Sequence, residues 1–278
     1  MHRRDLASLV ALSTLALTVG VGCPEEPKPT PPKPVGATSA AAAVKTPPSA
    51  AASAAPVVNT KAGPLGTATI KGVVNFSGKA PEMKVPKKRK DAEFCKTKEV
   101  KYNAVLADGG KLAETFVRIA NDSVKGEYPA PAKHAEIDQV DCMYTPRIQG
   151  VVAGQEITIK NSDGTLHNVH AVPKVNEEFN FGQPNKGDER LRTFDRPEIM
   201  VPFRCDVHGW MNSYAGVVPH PFYAVTSQDG SFEIKGLPAG TYTLEAWHER
   251  LGTQTASVTS DGKTPVTATF TFKGDSAS

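Results

Sequence analysis

Phe203-Arg204-Cys205-Asp206-Val207-His208-Gly209-Trp210-Met211 ends an extended run that begins at Ile199, and it gathers a thiol, an imidazole and a thioether within seven residues. A cysteine at the end of a strand can point between two sheets, and a loop three residues further on can return a histidine beside it. A second imidazole stands upstream in Asn161-Ser162-Asp163-Gly164-Thr165-Leu166-His167-Asn168-Val169. One anionic sulfur, two borderline nitrogens and one weak neutral sulfur form a donor set suited to both copper oxidation states. A histidine that follows a strand on the far side of a sandwich would supply the rigid partner the loop needs. Asn168, next to it, would tie the two loops by hydrogen bonding.

Around these segments the chain from Gly66 onward consists of short alternating or β-branched runs separated by Gly, Asp, Asn and Pro. They include Ala68 to Phe76, Thr115 to Ala120, Val151 to Asn161, Leu166 to Val172, Ile199 to Cys205, Ser231 to Ile234, Thr241 to Trp247 and Pro265 to Phe272. No long helical period competes with them, so the pattern predicts an all-β, Greek-key sandwich protein with at most a short helix near Lys87 to Cys95. Two prolines flanking His220 mark a connection, and Asp229-Gly230 between Val225 and Ile234 predicts a hairpin.

The copper segments resemble the cupredoxins, the plastocyanin-like blue-copper family, over about residues 140 to 219. Gly150 to Asn161, followed by Asp163 and His167-Asn168-Val169, is similar to the family's strand and first-ligand segment, and Phe203 to Met211 to its ligand loop. The resemblance implies one mononuclear copper held by His167, Cys205, His208 and Met211. The family usually spaces its loop histidine and axial methionine further apart, whereas only Gly209 and Trp210 intervene here. The axial position therefore stays open between Met211, delivered by a tight turn at Gly209, and His170. Strand parity sets His170 on the face opposite His167, and a bulge would be needed to re-aim it. His220 and His248 read as packed or surface residues, Trp210 and Trp247 as core or interface aromatics, and His134 has no companions.

The residues from Val225 to Trp247 resemble carboxypeptidase-regulatory-like, transthyretin-type β-sandwich modules, which implies a structural or docking role for about the last 55 residues. Ile70 to Gly78 also resembles the first strand of such modules. The expected division is a signal peptide over 1–22, a disordered Pro/Ala-rich tether over 23–64, a cupredoxin-like region over 65–219 and a small β-sandwich over 220–275. The alternative is that chain ends pair around an inserted copper domain.

Met1-His2-Arg3-Arg4, the apolar run from Leu6 to Val21 and Gly22-Cys23 read as an export signal with a lipobox-like end, which makes Cys23 the acylation candidate. Residues 24 to 64 carry almost no large apolar side chain; as a coil they would reach on the order of 35 Å. The expected setting is the periplasm or outer membrane, lipid-anchored. With Cys23 and Cys205 assigned, Cys95 and Cys142 remain for a disulfide, natural after export, which would contribute roughly 4 kcal/mol by closing a loop of about 47 residues.

The formal charge of +3 is near neutral and gives no case for nucleic acid. The basic run Lys84, Lys87, Lys88, Arg89, Lys90 reads as a solvated loop. No repeated His-x-His pair is present to feed a trinuclear copper cluster, Cys205 is the only cysteine in the ligand loop, and no nucleophile triad or phosphate loop stands out. The expectation is a monomeric, non-enzymatic carrier of single electrons between periplasmic or surface redox proteins. A copper carrier or storage protein is the second reading, and a structural β module the third.

Overall fold

The computed structural model describes residues 63–86, 92–100 and 105–274. The expected signal peptide, Cys23, nearly all of the tether and most of the basic run lie outside them. Among the described residues strands dominate, with one turn of α-helix at Ala92–Cys95 and one of 3-10 helix at Asn121–Ser123, and no helix is long and apolar enough to cross a membrane.

Alternation builds the strands. In Val266–Lys273, Ala268, Phe270 and Phe272 are buried while Thr267, Thr269, Thr271 and Lys273 are exposed, as a pleated strand with one wet face requires. Ile157–Asn161 alternates in the same way, with Ile157, Ile159 and Asn161 inward.

The strands form two sandwiches. One pairs a sheet running His-bearing strand to strand, in the order Phe179–Gln183, His167–Ala171, Glu198–Arg204, Asn212–Val218, Ile148–Val152, with a sheet of Glu189–Arg192, Ile157–Asn161, Ala135–Val140 and Met143–Thr145. Its interior holds Val151, Ile157, Ile159, Val169, Phe194, Val201, Phe203 and Val217. Glu198 faces Val217 and Val201 faces Ala215 across a register shift, with Met200 at φ 61°, so one residue bulges from this strand.

The second sandwich is built from both ends of the described chain. Ala68–Ser77 pairs antiparallel with Ser231–Leu237 and parallel with Val266–Lys273, and meets Lys111–Leu112 at Asn75. The facing sheet is Tyr223–Val225, Phe116–Ile119, Ala239–His248 and Gly252–Asp261. Sheet membership therefore divides the chain differently from a boundary at 219/220. Strands before residue 120 belong with the C-terminal strands, and residues 135–218 are inserted between Phe116–Ile119 and Tyr223–Val225. The reason is non-local: the partners of Ala68–Ser77 lie far along the chain, where composition carries no signal. The Asp229-Gly230 turn forms, with Gly230 at φ 74°, yet Tyr223–Val225 and Ser231–Leu237 on its two sides join different sheets. It is a corner, not a hairpin.

The sandwiches meet closely. A Cβ on Gly150 would stand 2.3 Å from the Tyr223 ring, and one on Gly216, its register partner, 2.6 Å from Phe116. Glycine at both positions lets rings of the flanking sandwich lie directly on the inserted sheet. Beside this contact Arg147, 6% exposed, bonds Glu114 at 2.6 Å and Glu249 at 2.9 Å, and also Asn212 at 3.3 Å. Its guanidinium thus joins two carboxylates of the flanking sandwich to the start of the strand that follows the metal-loop segment.

Candidate metal centre

Strand parity aims the first imidazole. Along His167–Ala171, His167, Val169 and Ala171 are fully buried on the inner face, while His170 turns to the other. Cys205 directly follows Glu198–Arg204, whose Phe203 and Arg204 pair with Ala171 and His170, so the thiol emerges beside His167. The return loop is tight: Met211 N–H donates to His208 O at 2.8 Å and Cys205 N–H to Met211 O at 3.2 Å. Gly209 keeps φ outside the left-handed region, so this turn does not draw on the conformational freedom expected of it.

His167, Cys205 and His208 converge. Their donor atoms lie within 4.8 Å of one another, with His167 Nδ1 to His208 Nδ1 at 2.9 Å and Cys205 Sγ to His208 Nδ1 at 3.8 Å. Exposures of 0%, 2% and 0% exclude water from all three. Metal–nitrogen and metal–sulfur bonds of about 2.0–2.3 Å span such separations, so the residues fit one ion.

The protonation pattern agrees with that fit. Asp163 Oδ2 stands 2.8 Å from His167 Nε2, and the same carboxylate accepts N–H bonds from Asp141 and Cys142 at 2.8 Å each. Burial pushes the Asp163 carboxyl up, but the His167 hydrogen bond and these two amides together hold it below its ordinary value. An ionised carboxylate only accepts, so Nε2 of His167 carries a proton, and Nδ1, which hydrogen-bonds Cys205 in the metal-free chain, would have to give up its own proton to take a metal. Burial lowers the His167 pKa, yet Asp163 and Cys205 outweigh it and raise it. The Cys205 thiol is pushed up by burial and brought down to about 6 by hydrogen bonds from His167, His208 and the amides of Asn168 and His208. Those two amides stand 3.4 and 3.3 Å from the sulfur. Thiolate is thus the favoured form near neutrality.

Asn168 ties the loops as expected, its Oδ1 accepting the Asp206 N–H at 2.9 Å. Gln139 and Gln183, buried and bonded at 2.6 Å, and Asn161, bonded to Thr165 O and Gln183 O, brace the turn before His167. Met211 is buried in the same interior group as Cys205 and Trp210. His170 is held away from the trio, with Nε2 2.8 Å from Glu178 and Nδ1 3.1 Å from Asp206.

Among the described residues, the other histidines stand apart from the trio. His220 and His248 are buried, burial lowers each to about 4, and their Nδ1 atoms accept the Phe222 and Arg250 N–H groups. His134 pairs with Glu156 on the surface.

Cys95 and Cys142 form a disulfide, and its place was not visible in the sequence: Cys95 Sγ is 3.8 Å from His208 Nε2, across 113 residues. Trp210 Nε1–H donates to Cys142 O at 2.9 Å. Cys142, Asp163 and His167 form a second group with metal-ligand spacing, but the Cys142 sulfur is engaged in the disulfide. The role of Asp163 was legible only as part of a matched segment, because three residues of loop, Gly164 to Leu166, separate it from His167.

No protein-family model matches the sequence, and no curated protein matches it. Among solved structures the chain is similar to a purple cupredoxin from Nitrosopumilus maritimus, 21% identical over 30% of this chain and 98% of that one, with a TM-score of 0.25. It is similar to an amicyanin P94F mutant in the reduced state, 24% identical over 31% and 84%, TM-score 0.28. It also resembles a copper-containing nitrite reductase from Thermus scotoductus, 18% identical over 34% of this chain and 24% of that chain, TM-score 0.27. The match thus spans about a quarter of the reductase.

Proposed function

We propose that this chain is an exported, membrane-tethered protein that binds one copper ion through His167, Cys205 and His208 and carries single electrons between redox proteins. The observation that supports it most is the convergence of two imidazole Nδ1 atoms and a thiolate-favouring cysteine in a site closed to water. Copper bound there would supply one-electron chemistry, since a sulfur–dinitrogen set suits both of its oxidation states. The chain's own part is to hold the three donors in place. Asp163 orients His167, the Asn168 and His208 amides stabilise the Cys205 thiolate, and Arg204 to Met211 closes as a braced loop. Rigid donors reduce the rearrangement that accompanies electron gain and loss. Met211, buried next to this group, is the proposed axial contributor. The Leu6–Val21 run, Cys23 and the Pro/Ala-rich stretch support an acylated N-terminus and a position outside the cytoplasm.

The test is to add Cu(II) to the purified chain and record its visible spectrum and voltammogram. An intense thiolate-to-Cu(II) absorption with reversible one-electron redox is expected. Protein that holds Cu(I) but stays colourless and redox-silent would overturn electron transfer and leave copper carriage, which the complete burial of the donors also suits.

A further inference from the structure

We infer that the Cys95–Cys142 disulfide is an outer part of the metal centre, holding the imidazole of His208 from behind, and is not merely a cross-link of the fold. This rests on the copper reading above.

Three bonds run from this knot to the donor set. Cys95 Sγ faces His208 Nε2 at 3.8 Å, within reach of an N–H to sulfur hydrogen bond. Cys142 O takes the Trp210 indole N–H at 2.9 Å, which fixes the loop two residues beyond His208. Cys142 N–H donates to Asp163 Oδ2 at 2.8 Å, the oxygen that also meets His167 Nε2. Both remote imidazole nitrogens are therefore anchored on one covalent unit, although the donors come from separate strands.

The chemistry of the two anchors differs. His167 leans on a carboxylate, His208 on a neutral divalent sulfur. When Nδ1 of His208 is bound to a metal, its proton must sit on Nε2, and the disulfide sulfur faces that proton inside a site where no water can replace it. A charged partner makes a ligand imidazole more basic, whereas a neutral weak acceptor orients it without adding negative charge. Asp163 thus orients His167 through an anionic contact, and the disulfide orients His208 through a neutral one. Both cysteines are fully buried, so the disulfide is a lasting fixture that external thiols do not reach in the folded chain.

The test compares the full chain with its Cys95→Ala/Cys142→Ala and Cys95→Ser/Cys142→Ser variants, using Cu(II) and Cd(II) as probes. The alanine pair is expected to bind each ion at least tenfold more weakly and to change the Cu(II) hyperfine splitting. The serine pair, which restores an acceptor without the cross-link, should recover part of the affinity. A folded alanine pair with unchanged affinity and splitting means the disulfide only staples the fold, and overturns the inference. Should that pair not fold, nitrogen NMR of the Cd(II)-loaded natural chain decides instead. A His208 Nε2–H protected from exchange is expected, and a freely exchanging one overturns the proposal. If the natural chain binds neither ion, the copper reading itself fails and this inference goes with it.

Discussion

In the flanking sandwich, Ile70, Val74, Leu244, Phe270 and Phe272 meet across the two sheets, and the buried Thr226 serves the backbone. Thr226 Oγ1 accepts the Thr115 N–H and donates to Leu112 O. In the inserted sandwich, Val169, Phe194 and Phe203 do the same apolar work, but one end of the interior also holds Gln139, Asn161, Asp163, His167, Gln183 and His208. Burying such groups costs free energy unless hydrogen bonds compensate, and here they bond one another and the loops around Cys205. The same architecture serves two ends: apolar complementarity in one sandwich makes a stable body, and a polar end in the other makes a site.

The comparison breaks most visibly at Cys205. Cys205→Ala removes the one anionic sulfur, and copper affinity should fall by more than the roughly 10–100-fold that losing an outer partner costs. Titration calorimetry checks this, and chemical denaturation should show the fold retained. Next comes the bridge between the sandwiches. Arg147→Met strands the half-buried Glu114 and Glu249, and breaking this network should cost about 3 kcal/mol in urea unfolding, the low end of what a buried pair costs. A loss under 1 kcal/mol would show that the glycine-lined ring contact alone joins the bodies.

Leu244→Ala, deep in the flanking core, should cost about 3 kcal/mol while leaving the copper spectrum unchanged. An altered spectrum would mean that the two interiors are coupled. The smallest effect concerns the metal-free chain. Because the folded Cys205 pKa, about 6, lies below its ordinary 9.0, ionisation favours the folded state. Its contribution is full above the ordinary value, shrinks as the pH falls towards 6 and vanishes below it. Ultraviolet thiolate absorption should titrate near pH 6, and a midpoint above 8 would show that the surrounding N–H donors do not stabilise the anion.

Local pattern carried much of this in advance. Alternation and turn residues marked runs such as Ala68 to Phe76, Ile199 to Cys205 and Pro265 to Phe272, though not Phe179–Gln183, Glu189–Arg192 or Gly252–Asp261, and parity along His167-Asn168-Val169-His170 placed the two imidazoles on opposite faces. The spacing of Cys205 and His208 with an upstream His167 made the trio visible, and cysteine bookkeeping paired Cys95 with Cys142. What escaped was set by distant pairing. That Ala68–Ser77 lies between Ser231–Leu237 and Val266–Lys273 depends on hydrogen bonds between segments far apart in the chain, and alternation is blind to partners. The contact of Cys95 with His208 is equally silent, since a disulfide's neighbours depend on where its loop folds back.

Arg118 and Tyr223, the register partners at the mouth of the insertion, stand side by side in one sheet, so the inserted body leaves and rejoins its host at a single place. A bead on a string has one leash and swings freely; this body has two stems clasped as neighbouring strands, and the Arg147 bonds and the Gly150–Tyr223 contact hold it against the host. The flanking sandwich is thereby a plinth. It gives the metal end a set bearing relative to the rest of the folded chain, and excision of the insertion could be closed by a short hairpin turn between those same two strands.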